Sequence, residues 1–346
     1  MEASVTPNER LYAMIAGKPV DRPAVTPIFM AWAAHHVGHT YRDFYLDAQA
    51  LAEAQFEVTR DFGTDQISAI SDPWREASAY GMEFDYPAEG VGKPKALLIT
   101  GPADVKLLKR LDIMASPRTR DRVEAVRIMA GRLGRTHSVL GWVEGPLAEY
   151  GDLRGVENTM MDLFDKPEMF LEAAEIIIEN AVAFAREQIK AGADMIGVGD
   201  AAASLIGPDL YAQYVLPLEK RLFAGIHDAG AAVKLHICGN TTRIVGLMAQ
   251  TGADIIDLDW MVDLVKARSE VGPAVTLAGN FDPAGVLLQG KPDAVAAAAR
   301  KCLSQGAPRL VLQPGCEVPP GTPEANIRAF CPCKGTLLGD VYGIGS

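Results

Sequence analysis

The segment Ala231-Ala232-Val233-Lys234-Leu235-His236-Ile237-Cys238-Gly239-Asn240 is a short apolar run closed by Gly-Asn. Such a run is typical of a buried strand that ends in a turn. Because side chains two apart on a strand share a face, His236 and Cys238 are expected to point the same way at the strand's C-terminal end. A second apolar run, Leu310-Val311-Leu312-Gln313-Pro314-Gly315-Cys316, is broken by Pro-Gly and places Cys316 at the end of another strand.

Strand-like runs of this kind alternate with helical patterns along the whole chain, as in repeated βα units that build a parallel sheet. The predicted strands lie near residues 24–29, 66–70, 97–100, 139–143, 195–198, 233–237, 255–258, 275–278 and 310–312. Eight of these strands could close a barrel. We therefore predict an α/β fold, a single (β/α)8 TIM-barrel domain over residues 1–346, with a short N-terminal helix near 7–18 and a C-terminal tail near 331–346.

The composition is that of a globular protein, with 49% hydrophobic and 22% charged residues among 346. The net charge of -11 argues against nonspecific nucleic-acid binding, which needs a basic surface. We find neither a signal-peptide pattern at the start nor an apolar run of membrane-spanning length, so a cytoplasmic location is expected. Five cysteines at irregular spacing fit thiols or metal ligands better than disulfides, and no role is assigned to Cys331 and Cys333.

His236, Cys238 and Cys316 supply three ligands that zinc accepts and leave a fourth position open. Three protein ligands with one open position are typical of a catalytic zinc site rather than a structural one. The alternative is that each is an ordinary buried residue, since cysteine packs well as a small hydrophobe. The placement of all three at matching strand ends favours the metal site.

Further residues near predicted strand ends are candidates for the site, because the active sites of TIM barrels lie at the C-terminal ends of the strands. Glu144 and Asp200 are predicted to be catalytic. Glu144 is either a polar pocket group or a fourth ligand, and Asp200 either orients the substrate or accepts a hydrogen bond from His236. The predicted substrate-binding residues include three aromatic ones that could wall a flat pocket and an asparagine whose alternative role is to hold loop geometry: Trp32, Trp74, Tyr150 and Asn280. Three neighbours near the same strand ends could belong to this wall as well: Phe29, Met30 and Trp142. The alternative for each wall residue is a place in the core or at the rim.

Several motifs, taken in order, resemble the uroporphyrinogen decarboxylase superfamily over nearly the whole chain. They are Asn8-Glu9-Arg10-Leu11 with Asp21-Arg22-Pro23, Ser71-Asp72, Ile206-Gly207-Pro208-Asp209-Leu210-Tyr211, Gly279-Asn280-Phe281-Asp282-Pro283 and Gly321-Thr322-Pro323-Glu324. The resemblance implies the barrel fold. It also makes Asp72 a candidate substrate-binding residue, because Asp72 stands at a position similar to that of the decarboxylases' pyrrole-binding aspartate.

Two departures separate the chain from the decarboxylases themselves. Where they carry an arginine-rich motif that holds the carboxylates of the substrate, this chain reads Ile28-Phe29-Met30-Ala31-Trp32. A substrate with many carboxylates needs fixed guanidinium groups. The second departure is the gain of Cys238 and Cys316. A histidine and a cysteine two residues apart, followed by a distant cysteine, form a pattern that resembles that of the zinc methyltransferase branch. Enzymes of this branch move methyl groups between corrinoid cobalt and a small molecule.

This resemblance implies a zinc-dependent methyltransferase whose cobalamin arrives on a separate corrinoid protein. The small molecule would be a methoxy compound such as an aryl methyl ether, which would be O-demethylated, or a thiol such as coenzyme M. The alternatives are a decarboxylase of the uroporphyrinogen type and a non-catalytic relative that binds a tetrapyrrole or cobalamin. Neither a nucleic acid nor a membrane is expected as a partner, and a homodimer is one candidate assembly.

Overall fold

The computed structural model describes residues 5–332, and its centre is a curled sheet of seven parallel strands. In chain order the strands are β1 (Gln66–Ser68), β2 (Phe84–Asp85), β3 (Lys93–Pro94), β4 (Ser138–Glu144), β5 (Met195–Gly199), β6 (Ala232–Ile237), β7 (Ile255–Leu258), β8 (Thr276–Phe281) and β9 (Leu310–Pro314). The parallel sheet has the order β1-β4-β5-β6-β7-β8-β9, and β2 pairs with β3 as a separate antiparallel ribbon.

The helices lie between the strands, as the βα pattern predicts. They are α1 (Pro7–Ile15), α2 (Ala31–His36), α3 (Tyr41–Leu46), α4 (Ala48–Phe62), α5 (Trp74–Ala79), α6 (Pro102–Val105), α7 (Pro117–Leu133), α8 (Pro146–Arg154), α9 (Val156–Asp165), α10 (Pro167–Ala191), α11 (Pro208–Leu210), α12 (Leu216–Asp228), α13 (Val245–Met248), α14 (Leu264–Val271), α15 (Pro292–Gly306) and α16 (Glu324–Phe330). None of those described is long and apolar enough to cross a membrane.

The gap between the two edge strands, β9 and β1, is filled by residues 24–26. Val25 forms a parallel bridge with Leu312, and Thr26 N donates to Leu312 O at 3.1 Å. On the other side, Asp65 N donates to Val25 O at 2.8 Å. The sheet therefore closes on itself and the predicted barrel is confirmed. The predicted strand 24–29 shrinks to one bridge, because Pro23 and Pro27 have no N–H to donate to a ladder.

Two other boundaries differ from the predictions. The strand predicted at 97–100 does not form, because Leu98 N and Ile99 N both donate to the same carbonyl, Leu153 O at the end of α8. The N-terminal helix predicted at 7–18 ends at Ile15, shortly before Gly17 takes a left-handed conformation with φ 65°. The other predicted strands are present within a few residues.

The barrel interior is filled by alternate residues of the strands. Leu140, Met195, Ile255, Ala278 and Val311 form one apolar cluster inside the barrel, together with two residues of α1, Leu11 and Met14. A second, larger cluster lies between the outer face of the sheet and the helices. Because α1 packs into the interior from one side, the C-terminal strand ends at the other side are left for the chemistry.

Candidate metal centre

His236, Cys238 and Cys316 converge at the C-terminal ends of β6 and β9. His236 Nε2 lies 3.1 Å from Cys238 Sγ and 4.0 Å from Cys316 Sγ, and the three ligand atoms all lie within 4.8 Å of one another. Ligand atoms around a tetrahedral zinc with one nitrogen and two sulfurs stand about 3.5–3.8 Å apart, given the usual bond lengths. The donor types are ones that zinc accepts and the distances lie on both sides of this range, so these three residues could hold the ion predicted from the sequence.

Glycines place the two cysteines. Gly239, directly after Cys238, has φ 91°, a left-handed conformation that favours glycine in the turn after β6. Gly315, directly before Cys316, lies so close to the next loop that a Cβ atom there would stand 2.2 Å from Trp260 N. Any larger residue at position 315 would push the turn that carries Cys316 away from Trp260.

The buried carboxylate of Asp257 lies beside the imidazole ring of His236. In the parallel register His236 is opposite Asp257, and His236 Nδ1 lies 3.3 Å from Asp257 Oδ2. Lys234 Nζ is also 3.3 Å from that oxygen, while Gln313 Nε2 donates to Asp257 Oδ1 at 2.8 Å. Burial raises the pKa of Asp257, but Lys234 and His236 outweigh it and the pKa is lowered. A negative charge at this distance favours Nδ1 as the protonated nitrogen, which would leave Nε2 for a metal.

The two thiols differ in acidity. The hydrogen bond from Cys238 lowers the pKa of the Cys316 thiol to about 4, although burial acts in the opposite direction. The same bond raises the pKa of Cys238, with burial as the second cause. Because a thiolate is the form that binds metal, this arrangement presents at least one ready ligand before any ion arrives.

A cavity of about 150 Å³ lies over the three ligands. Its walls are apolar side chains and one indole, with carboxylic acids between them. The lining residues are Ile28, Met30, Ile70, Ser71, Asp72, Pro73, Trp142, Glu144, Gly199, Ala201, His236, Cys238, Cys316 and Glu317. A small molecule in this cavity would touch the open side of the metal site.

Glu144 is in the cavity wall, where the sequence places a catalytic residue. Trp142 Nε1 donates to Glu144 Oε1 at 3.1 Å, and Glu144 N donates to Glu76 Oε1 at 3.0 Å. Burial and the neighbouring Glu76 raise the pKa of Glu144 well above its usual range. Glu149 and Asp152 lie in the same buried acidic group, and burial raises the pKa of each as well.

Asp72 also lines the cavity, and its carboxylate is paired with the guanidinium group of Arg118. Arg118 Nη2 lies 2.5 Å from both carboxylate oxygens of Asp72. Two further arginines are fully buried nearby. Arg75 donates to Asp121 Oδ2 at 2.7 Å, and Arg122 donates to Asp72 O at 3.1 Å. None of the three arginines is in the cavity lining, so their guanidinium groups serve internal partners rather than substrate carboxylates.

Asp200 is turned away from the cavity. Its Oδ1 accepts a hydrogen bond from Ala148 N at 2.6 Å, in the first turn of α8. Burial raises the pKa of Asp200 to about 7, against the effect of this bond. The contact with His236 that the sequence suggests for Asp200 is made by Asp257 instead. The geometry therefore gives Asp200 the role of a helix cap.

The remaining predicted substrate-binding residues do not line the cavity. Trp32 Nε1 donates to Thr322 O at 2.8 Å, and Tyr150 donates through its hydroxyl to Asp162 Oδ2 at 2.8 Å. Asn280 Nδ2 donates to two carbonyl groups, which gives it the loop-holding role considered as its alternative. Trp74 follows the lining residue Pro73, but its ring packs on Phe84 with centroids 5.0 Å apart.

Glu317 lines the cavity but is absent from the site predicted by sequence. Glu317 directly follows Cys316, and burial together with the Cys316 thiolate raises its pKa to about 7. Trp142 lies two residues before Glu144 on β4 and shares its face. Trp142 and Met30 are the two residues considered for the pocket wall that line the cavity. Of the other cysteine pair, Cys331 is buried, and Cys333 lies outside the described residues.

Comparison with known proteins identifies the family. The uroporphyrinogen decarboxylase family matches residues 6–334. The methylcobamide:CoM methyltransferase MtbA of Methanosarcina acetivorans is 30% identical over 95% of this chain and 97% of its own length. The uroporphyrinogen decarboxylase of Nocardia farcinica is 33% identical over 77% of this chain and 75% of its own length. The longer match is with the predicted enzyme class, the methyltransferases.

The fold is shared with a solved structure. A methyltransferase from Methanosarcina mazei superposes with a TM-score of 0.81 over 94% of this chain and 97% of that chain, at 24% identity. This likeness supports the barrel described above. The match over residues 6–334 and the relative at 30% identity together establish the family. The chain belongs to the uroporphyrinogen decarboxylase family, as its motifs predict.

Proposed function

We propose that the protein is a zinc-dependent methyltransferase that moves a methyl group between corrinoid cobalt and a small molecule in the cavity. The observation that carries the proposal is the convergence of His236, Cys238 and Cys316 beneath that cavity, within 4.8 Å of one another. Zinc held there would act as a Lewis acid that lowers the pKa of a thiol or stabilises a departing oxygen. The corrinoid is expected on a separate protein.

The chain's own residues prepare the site for such a metal. Asp257 fixes the tautomer of His236, and the hydrogen bond from Cys238 favours the thiolate of Cys316. Ile28, Met30 and Ile70 form an apolar wall of the cavity. Apolar surroundings strengthen the electrostatic interactions made beside them.

The size of the cavity favours a small methyl donor or acceptor. A cavity of about 150 Å³ holds a molecule of benzene's size. The cavity over the metal ligands has that volume, so it accommodates a short thiol or a single aromatic ring. A decarboxylase of the uroporphyrinogen type would also need cations for the carboxylates of its substrate, and none of the lining residues is lysine or arginine, which disfavours that alternative.

The thiol direction is better supported than ether demethylation. A relative at 30% identity over nearly its full length is named a methylcobamide:CoM methyltransferase, and that name describes transfer to a thiol. Of the aromatic residues predicted to wall a flat pocket, only Trp142 lines the cavity, so the wall expected for an aryl ether is reduced to one ring. We therefore place a thiol first and a methoxy compound second.

The direct test uses free methylcobalamin and 2-mercaptoethanol. With zinc-loaded protein, the absorbance of methylcobalamin should decay while the methyl thioether accumulates in equal amount. Protein stripped with a chelator should show no decay, and added zinc should restore it. Decay that is insensitive to zinc, or the absence of transfer both to thiols and from methoxy donors to reduced cobalamin, would contradict the proposal.

Trp260 offers a way to test where the corrinoid binds. Trp260 and Met261 are 47% and 41% exposed, although both are large and apolar. They pack against the glycines beside Cys316 and Cys238, so they form the rim of the metal site. A flat aromatic side chain there can cover part of the corrin face.

Trp260→Ala should raise the KM for methylcobalamin about tenfold, the effect of losing about 1.4 kcal/mol of binding energy. Zinc content should not change, because Trp260 supplies no ligand. Phe164→Ala is the matched control, since Phe164 is 73% exposed on α9 and does not touch the metal site. Equal KM values for the two variants would place the corrinoid elsewhere.

A further inference from the structure

One side of the cavity over the metal ligands is formed by the indole of Trp142, which lies against two glycines of β5. In the register of the sheet Trp142 is opposite Gly197. A Cβ atom on Gly197 would stand 2.2 Å from Trp142 Cε3, and one on Gly199 would stand 2.9 Å from Trp142 Cζ2. Both carbons belong to the six-membered ring of the indole. That ring therefore occupies the space that ordinary side chains at positions 197 and 199 would fill.

Backbone conformation does not explain these two glycines. Neither Gly197 nor Gly199 has a positive φ, so their conformations are open to other residues. Both share a face of β5 with Met195, which belongs to the apolar cluster inside the barrel, as Trp142 does. What glycine provides at both positions is therefore room for the indole in the barrel interior.

The indole is held in place by hydrogen bonds to its backbone and to its ring nitrogen. Trp142 lies beyond Leu140, the last residue of β4 that pairs with β1. Gln188 takes both backbone groups instead, since Trp142 N donates to its Oε1 at 2.9 Å and its Nε2 donates to Trp142 O at 2.9 Å. Arg122 Nη1 donates to the same carbonyl oxygen at 3.1 Å, and Trp142 Nε1 donates to Glu144 Oε1 at 3.1 Å. The ring therefore has little freedom to move aside for a larger substrate.

The volume of the cavity depends more on Trp142 than on any other lining residue, because Trp142 has the largest side chain among them. With Ile28, Met30 and Ile70 as further apolar lining, a space of about 150 Å³ remains. An indole is itself larger than benzene, so its removal would roughly double a space that holds one molecule of benzene's size.

We infer that Trp142, seated on Gly197 and Gly199, determines the size of the molecule that the metal site accepts. The methyl donor or acceptor is thereby limited to a short chain or a single ring beside the reacting atom. The inference rests on the proposed function, because it concerns the small molecule of that same site. It assigns Trp142 as a specificity-determining residue and the two glycines as positioning residues that give the indole room.

The test compares phenylmethanethiol with naphthalen-1-ylmethanethiol. Both carry the same mercaptomethyl group, and the second ring widens the molecule beside the sulfur rather than at its far end. Calorimetry with the zinc-loaded protein, without any corrinoid, measures the binding of each thiol. An extra methylene in an apolar pocket is already worth roughly tenfold, so the wild type should bind the one-ring thiol at least about tenfold more tightly. Trp142→Leu should bring the ratio of the two affinities close to one, with zinc content unchanged.

Gly197→Ala changes the same wall in the opposite direction and provides a test that does not depend on the folding of Trp142→Leu. The added Cβ atom forces the indole away from β5 and into the cavity. The ratio of kcat/KM for 2-mercaptoethanol to that for phenylmethanethiol, with methylcobalamin as the methyl donor, should rise by about tenfold. Comparing this ratio between wild type and variant cancels the intrinsic reactivity of each thiol.

Gly225→Ala is the matched control for an added methyl group. A Cβ atom on Gly225 of α12 would stand 2.7 Å from Val182 Cγ2 on α10, and neither residue lines the cavity. The Gly225→Ala variant should leave both ratios as in wild type.

The outcomes distinguish the two proposals. Equal binding of the two aromatic thiols by the wild type, or ratios that stay unchanged in both variants, would overturn the inference about Trp142 and leave the methyltransferase proposal intact. Binding that follows size as expected, without methyl transfer in either direction, would overturn the methyltransferase proposal, while the role of Trp142 would stand.

Discussion

Replacing Cys316 with alanine is expected to remove the bound zinc and abolish methyl transfer. Cys316 supplies one of three ligands, and its thiol is the one whose pKa is lowered, to about 4. Removing it leaves His236 and Cys238, which is one ligand fewer than catalytic zinc sites use. The Lewis acidity of a bound metal is worth several kcal/mol in the transition state, so activity should fall by about a thousandfold or more.

Metal analysis after gel filtration measures the first effect, and the methylcobalamin assay measures the second. Cys302→Ala is the matched control, because Cys302 is also buried but lies on α15, outside the cavity lining. The Cys302→Ala variant should bind one zinc ion per chain and retain the activity of the wild type. Full zinc content in Cys316→Ala, with a wild-type thermal melting curve, would contradict the assigned ligand set.

The metal-ligand candidates could be predicted from the sequence because strand periodicity determines them. Side chains two residues apart on β6 share one face. That face is the barrel interior, because Lys234 Nζ reaches Gln313 Oε1 on β9, a strand that is not a neighbour of β6. A Pro-Gly break after β9 places Cys316 at the same edge of the barrel. These rules are local, so they need no knowledge of how the strands are paired.

The substrate-binding candidates were less predictable because proximity to a strand end does not define where a side chain points. Trp32 lies just after the first barrel segment, yet its indole turns to the carbonyl of Thr322, 290 residues away. Tyr150 lies one turn inside α8 and points to Asp162. Helix orientation decides both cases, and it depends on tertiary packing.

The partner of His236 required knowledge of register. Asp257 and Asp200 both follow the pattern of a polar residue near a strand end, and the prediction from sequence chose Asp200. Only the pairing of β6 with β7 puts Asp257 opposite His236, while the first turn of α8 takes the carboxylate of Asp200. The position of Glu317 also required the structure, because the conformation of the turn that carries Cys316 decides whether the side chain of Glu317 faces the cavity.

Asp257→Asn is expected to weaken zinc binding by about 10–100-fold, the usual effect of removing the acceptor behind a metal-bound histidine. An amide at Asp257 is uncharged and can hold either tautomer of His236, so Nε2 is no longer reserved for the metal. Competition with a chelator of known affinity measures the change. Asp254→Asn is the control, since Asp254 contacts His227 at 2.9 Å on the surface and should leave zinc affinity unaltered.

The same substitution leaves Lys234 without its carboxylate, and breaking a buried ion pair typically destabilises a protein by about 3–5 kcal/mol. Lys234 is 1% exposed and keeps only Gln313 Oε1, at 2.7 Å. The double variant Lys234→Met with Asp257→Asn restores charge balance and should recover most of the thermal stability. Because it does not restore the ionised partner of His236, its zinc affinity should stay low. Recovery of both properties would show that Asp257 supports the fold rather than the metal ligand.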